Sequence, residues 1–250
     1  MILRLSGLAA LLLLVEVLPR LGLVTDLPPT SRILAALADE AGTAAFWTAV
    51  GDTLTAWALG LLIAVAAGVG VGVLLGAVPA LRAWTASTVE FLRPIPSVAL
   101  IPLAVLLYGT SLGSTLLLVV YAAFWQVLVQ VLYGVADVDP VADETARSFR
   151  FSPWARLRHV LWPTALPYVF TGIRLAAAVA LVLAVTAELV IGAPGLGSVI
   201  AVAQSSGALP TMYALIVVTG LLGVAINVGA RYAERRFLSW HQSVRAEMAL

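Results

Sequence analysis

Six apolar stretches separated by short polar intervals run along the chain, at about 5 to 24, 53 to 78, 85 to 108, 113 to 134, 168 to 191 and 211 to 230. Each approaches the roughly 20 residues that a helix rising about 1.5 Å per residue needs to cross a hydrocarbon layer of about 30 Å. The sequence lacks the ten-residue alternation of a membrane barrel. The pattern therefore predicts an all-α polytopic membrane protein, a single domain over 1–250 with six transmembrane helices. The first stretch shares a feature with signal peptides, since Arg4 precedes a run rich in Leu and Ala. That run continues past Pro19 and Arg20 to Val24 with no A-x-A site directly after it, so it is read as a span.

The one long polar interval, 137–167, falls between the fourth and fifth spans, and its punctuation predicts two short helices. Asp139 is placed as an N-cap, Pro140 takes the first helical position, and Asp143 and Glu144 occupy the early turns, where the helix dipole favours acids. Val141, Ala142, Thr145, Ala146 and Phe149 share one side of this helix, with Asp143, Arg147 and Arg150 largely elsewhere. Such a helix can lie across a protein surface or a membrane interface. Ser152 and Pro153 repeat the cap and open a second short helix, which Pro163 is expected to interrupt. Composition alone fits a solvated, positively charged loop equally well.

Composition narrows the function classes. Side chains are 62% apolar and only 11% charged, too few polar groups to cover a water-facing surface of this size, and this excludes a soluble enzyme. There is no cysteine, hence no disulfide, thiolate nucleophile or Cys-ligated metal. The formal net charge of +1 supplies no global field for nucleic acid. All 14 basic residues are arginine, and their placement sets an orientation. With the N-terminus in the cytoplasm, Arg4, Arg82, Arg147, Arg150, Arg156, Arg158, Arg231, Arg235, Arg236 and Arg245 lie inside and only Arg20 and Arg32 outside. An even number of crossings then places both termini in the cytoplasm of a cell with this chain in its inner membrane. Arg93 and Arg174 fall toward the cytoplasmic ends of their spans.

Gly68, Gly72 and Gly76 recur at four-residue spacing on the second span, a bare stripe for close helix approach. The G-V-G-V-G run there is not a phosphate loop, because no strand precedes it and the chain has no lysine. Six spans in 250 residues leave no room for an ATPase domain, so any energy source is another subunit or an ion gradient. No cofactor is expected in this chain.

Charges at membrane depth cost about 2.5–3.5 kcal/mol each at the centre of a span and call for a reason. Glu16 and Arg20, four apart, and Glu90 and Arg93, three apart, read as local pairs. Glu188 has no arginine within a turn and is followed by Gly192, Pro194, Gly195 and Gly197. It either faces a pathway or pairs across an interface or with headgroups. Tyr121, Gln126, Gln130, Thr186 and Asn227 either line a hydrophilic path or make interhelical hydrogen bonds. With no cation at mid-span, strong cargo binding inside the chain is not expected. Residues 25 to 50 and 192 to 210 are the outer surfaces, with Phe46 and Trp47 as interfacial anchors.

Glu144-Thr145-Ala146, Arg147-Ser148 and Leu161-Trp162-Pro163-Thr164-Ala165-Leu166-Pro167 resemble the EAA motif of binding-protein-dependent ABC importer permeases. Phe91-Leu92-Arg93-Pro94-Ile95-Pro96, with Pro102-Leu103 and Tyr108-Gly109, and Glu188-Leu189-Val190-Ile191-Gly192-Ala193-Pro194-Gly195-Leu196-Gly197 resemble the nitrate, sulfonate and taurine branch of that family. The motif's glycine, six residues after the glutamate, is Arg150 here. The resemblance implies that 137–167 is a cytoplasmic coupling helix segment inserted into a cleft of a separate ATPase, with Asp143, Glu144, Thr145, Ala146, Arg147, Phe149, Arg150 and Phe151 as coupling residues. It also implies two ABC ATPase subunits that hold the ATP and Mg, a second permease subunit in a homodimer, and an extracytoplasmic solute-binding protein that sets selectivity. A short capped rod joined to two spans can act as a lever for such a motor. Nitrate, an alkylsulfonate, taurine, bicarbonate and a thiamine-precursor pyrimidine are all compatible cargoes. From the residues alone, an ion-driven secondary transporter and a nontransporting scaffold are the rivals.

Overall fold

The computed structural model describes residues 13–24 and 26–239, so part of the first expected span and Arg245 lie outside the described residues. Every regular element among the described residues is helical. A helix over 13–20 (α1) is followed by α2 (Thr30–Ala41), α3 (Ala44–Ala77), α4 (Pro79–Leu92), a 3-10 turn (Ser97–Leu100), α5 (Ile101–Tyr108) and α6 (Leu112–Ala136). Then come α7 (Pro140–Ser148), α8 (Pro153–Arg156), a π turn (Leu157–Leu161), α9 (Trp162–Ile191), α10 (Leu196–Ser205) and α11 (Leu209–Phe237). Among the described residues four helices are long and apolar enough to cross a membrane: α3, α6, α11 and the continuous run Pro153–Ile191.

Local sequence explains where the helices depart from the hydropathy boundaries. Thr43 accepts a hydrogen bond from Phe46 N at 3.2 Å, so α3 starts at Ala44 rather than near 53 and takes in the polar residues Asp52 and Thr53. Pro163 does not interrupt the fifth helix. The chain widens into the π turn just before it, which accommodates the missing N–H and the bulky ring, and the helix continues to Ile191.

The stretch 85 to 108 is not one straight helix, because α4 and the 97–108 segment are bent by 83°. Pro94 and Pro96 are the reason. The Leu92 carbonyl would bond the N–H of residue 96, which proline lacks. It accepts instead from Ile95 N at 3.2 Å and from the Tyr121 hydroxyl of α6 at 2.6 Å.

The core lies where α3, α6 and α9 run against one another, and it is built largely of small residues, among them Ala56, Ala64, Ala123, Ala176, Ala180 and Ala184. Small side chains let backbones approach closely, which is what holds helices together where lipid removes the hydrophobic drive. Gly68, Gly72 and Gly76 face Val127, Val131 and Val135 of α6. A second cluster joins the start of α3 to α10 and α11 through Phe46, Val50, Leu196, Ile200 and Leu215. Phe46 is therefore a buried core residue and not an interfacial anchor, while Trp47 stays exposed and donates its indole N–H to Ala41 O at 2.9 Å.

Candidate functional site

The polar segment after α6 folds as a short rod braced by charge. Asp139 Oδ1 accepts from Val141 N at 2.8 Å and Pro140 opens the helix, which caps α7 as its first residues dictate. Ser152 repeats this at α8, accepting from Ala155 N at 3.2 Å. Asp143 holds the two together. Arg156 donates to its Oδ1 at 2.6 and 2.9 Å, and Arg147 donates to its Oδ2 at 2.8 and 3.0 Å. Arg156, and then Arg147, hold the Asp143 carboxyl below the usual aspartate range. Asp143 and Arg147 thus brace the rod internally, and Arg156 is a structural partner that sequence spacing alone did not single out.

The far end of α7 departs from ordinary backbone geometry. Arg150 has φ +58°, the only positive φ outside glycine among the described residues. Phe151 N bonds Ala146 O at 2.9 Å and Arg150 N bonds Arg147 O at 2.8 Å, a Schellman closure whose left-handed position glycine fills without steric cost. The family glycine is thus replaced without loss of the turn. Arg150→Gly is expected to stabilise this closure by up to about 1 kcal/mol, read as slower hydrogen exchange at the Phe151 amide.

Several large apolar side chains of the rod are left uncovered by the chain. Phe149 is 75% exposed and Trp154 68%, with Val141 and Phe151 also exposed. Only Ala146 of the coupling residues is buried. The Thr145 hydroxyl bonds back to Val141 O at 2.7 Å, and Glu144 is exposed with no ion pair among the described residues. Trp154 was legible only as a tryptophan beside a cap, outside any apolar stretch.

The intramembrane polar groups do not form one line. Tyr121 and Gln126 of α6 come together at the α4–α5 break, beside Arg93 and Trp125. Gln130 lies a turn further along α6 and packs against Gly172 of α9. The Thr186 hydroxyl bonds back to Val182 O at 2.7 Å, and Asn227 is exposed on α11, away from α6. Arg174 pairs with Glu234 of α11 at 3.2 Å, whereas Glu16 pairs with Arg20 and also takes Ser31 N at 2.9 Å. Glu90 and Arg93 form no ion pair with each other or with any other described residue. Arg93, just after the end of α4, borders one cavity with Tyr121 and Gln126 of α6 and another with Leu75 and Leu132.

Glu188 is fully buried. Its Oε2 accepts from the Thr53 hydroxyl at 2.8 Å and from Gly197 N at 3.0 Å, while Thr53 Oγ1 accepts from Leu196 N at 2.9 Å. These bonds tie α3, α9 and the start of α10 into one junction, which is possible because Gly195 and Gly197 leave the carboxyl room. In the sequence these glycines read as a flexible turn; in the fold they are a tight seat. Glu188→Gln keeps an acceptor for both donors and is expected to retain stability and uptake. Glu188→Leu strands them, at about 1–3 kcal/mol for each buried group. Thermal unfolding of the purified subunit checks this, and loss of uptake in a fully stable Gln variant would mark a role that needs the charge.

Comparison with known proteins places this architecture. The family described as binding-protein-dependent transport system inner membrane component matches residues 64–239. The chain is 33% identical over 224 residues to the taurine transport system permease protein TauC of Escherichia coli, covering 88% of this chain and 82% of that protein. It is 29% identical over 198 residues to the bicarbonate transport system permease protein CmpB of Synechococcus elongatus, covering 79% and 68%. Its fold resembles a chain of the inward-facing MetNI methionine ABC transporter, with a TM-score of 0.67, 20% identity, and coverage of 77% of this chain and 95% of that one.

Proposed function

Because this chain belongs to the binding-protein-dependent transport system inner membrane components, the non-enzymatic permease subunits of ABC importers, we propose that it forms half of the path by which a small oxyanion enters the cell. Six crossings are counted when the bent α4–α5 pair is taken as one span and 5 to 24 as another, and the arginine bias puts both termini in the cytoplasm. Relatives named for taurine and bicarbonate support an oxygen-rich, charged cargo. A second copy completes the path, a binding protein docks on 25 to 50 and 192 to 210, and two ATPases hold the ATP and Mg.

The observation that carries the coupling role is the uncovered aromatic end of the 137–167 rod. Phe149, Phe151 and Trp154 are exposed, near Glu144 and Arg150 in sequence, on a segment stiffened by the Asp143 brace. Interface energy concentrates in aromatic anchors with polar rims, at about 2 kcal/mol or more for each. Phe149→Ala is therefore expected to lower ATP-driven uptake in proteoliposomes by about 30-fold while the subunit stays monodisperse. The chain has no native cysteine, so a cysteine at 149 should crosslink cleanly to the ATPase. Reaction of that cysteine from the outer face of the cell, or normal uptake in the alanine variant, would defeat the assignment.

A further inference from the structure

Resting on the reading of this chain as an oxyanion permease, we propose that the break between α4 and α5 builds an oxyanion-binding subsite at mid-membrane depth. Arg93 supplies its positive charge, and the Ser97 hydroxyl and the Gln126 amide its neutral donors. Beside the break is a partly open cavity of about 260 Å³ bordered by Arg93, Ser97, Tyr121, Trp125, Gln126 and Val179. No carboxylate lines it, so its net charge is that of Arg93. Tyr121, Trp125 and Gln126 sit in the central turns of α6, and Val179 in the middle of α9, which fixes the depth.

The donors in this cavity lack partners. Trp125 is 8% exposed and its Nε1 makes no hydrogen bond. That nitrogen is sealed from solvent, so the indole borders the cavity through its ring and not through its N–H. The Arg93 guanidinium, the Ser97 hydroxyl and the Gln126 amide likewise make no hydrogen bond or ion pair among the described residues. The Tyr121 hydroxyl is already given to Leu92 O, so Tyr121 is a positioning residue that holds the break against α6. Trp125 is itself fixed by edge contacts with Tyr121 and Phe124, at ring-centroid distances of 5.9 and 5.0 Å.

One cation and a few neutral donors suit a singly charged oxygen-rich group, either a whole monoanion or the sulfonate end of a zwitterion. Such a site holds its occupant loosely, as a transfer station requires, since conduction needs binding favourable enough to enter and weak enough to leave. Arg93 is exposed on the surface of the single chain. Facing lipid at this depth would be costly, so this face is turned toward the second copy and the path between them.

The test uses the complete complex, permease with its ATPase and binding protein, in liposomes supplied with ATP and radiolabelled taurine, bicarbonate or nitrate. Arg93→Gln and Gln126→Leu, the latter removing the amide donor, are expected to lower uptake of the transported probe at least tenfold. Binding-protein-stimulated ATP hydrolysis should stay at the wild-type level, and Arg93→Lys should recover part of the flux. Wild-type uptake in both variants overturns the subsite and leaves the permease reading intact. Loss of ATPase stimulation and of monodispersity along with uptake makes these residues structural and also overturns it. A wild-type complex that imports none of the three probes overturns oxyanion import itself, and the subsite with it.

Discussion

Gly197→Ala is expected to leave almost no folded subunit in the membrane. A Cβ at this position would lie 2.2 Å from Val185 O and 2.7 Å from Leu189 N, both backbone atoms of α9, and 2.7 Å from Glu188 Cβ. A side chain can rotate away from such a contact, but helix backbone cannot. The start of α10 would have to move off α9, pulling Gly197 N from Glu188 and Leu196 N from Thr53. Overpacking a core by a methyl costs about 1–3 kcal/mol when neighbours can shift. Here each buried hydrogen bond broken adds about 1–3 kcal/mol more, against a total stability of about 5–15 kcal/mol for a typical domain. Gly220→Ala is the matched control, since nothing lies within 4 Å of its Cβ and its φ is ordinary. The measurement is the monodisperse yield and thermal midpoint after mild detergent extraction. A Gly197→Ala subunit that melts with the wild type would show that the junction is slack.

Gly72→Leu is expected to separate α3 from α6 and to abolish uptake. Along these helices Gly60, Gly68, Gly72 and Gly76 meet Val119, Val127, Val131 and Val135, a constant register that repeats every four residues. At Gly72 a Cβ would come within 2.6 Å of Val131 Cγ1 and 2.7 Å of its Cβ, and a β-branched side chain on a helix is held in one rotamer. The contact can be relieved only by moving one whole helix, which opens the seam at the other glycines too. Effects of Gly68→Ala and Gly72→Ala should therefore fall short of additive, because one displacement relieves both. Gly70→Ala, in the same G-V-G-V-G run but with nothing within 4 Å, should be tolerated. Equal damage from all three alanines would refute the seam.

These cases show how much of the molecule was legible in the residues. The four-residue glycine spacing placed a bare stripe on α3, and nothing in it named valines 59 positions later as the facing residues. The Asp139 and Ser152 caps were readable because a cap is completed within a turn of its own residue. The bent third span was half readable: Pro94 and Pro96 announced a break, but an 83° bend steadied by a tyrosine from another helix required the assembled bundle. Glu188 was the least legible residue. A glutamate before a glycine-rich stretch suits an exposed mouth and a buried seat equally, and only Thr53, 135 positions earlier, distinguishes the two.

The sequence by itself determined the helical class, the membrane as solvent, the arginine asymmetry and the capped polar rod, because hydropathy, charge and capping act over a span or less. The tertiary structure alone decided which residues of α6 lie beside Arg93, the enclosure of Glu188, the burial of Phe46 and the brace between Asp143 and Arg156. A polar side chain takes its partner from whatever segment folding brings beside it, and in this bundle those segments come from distant parts of the chain.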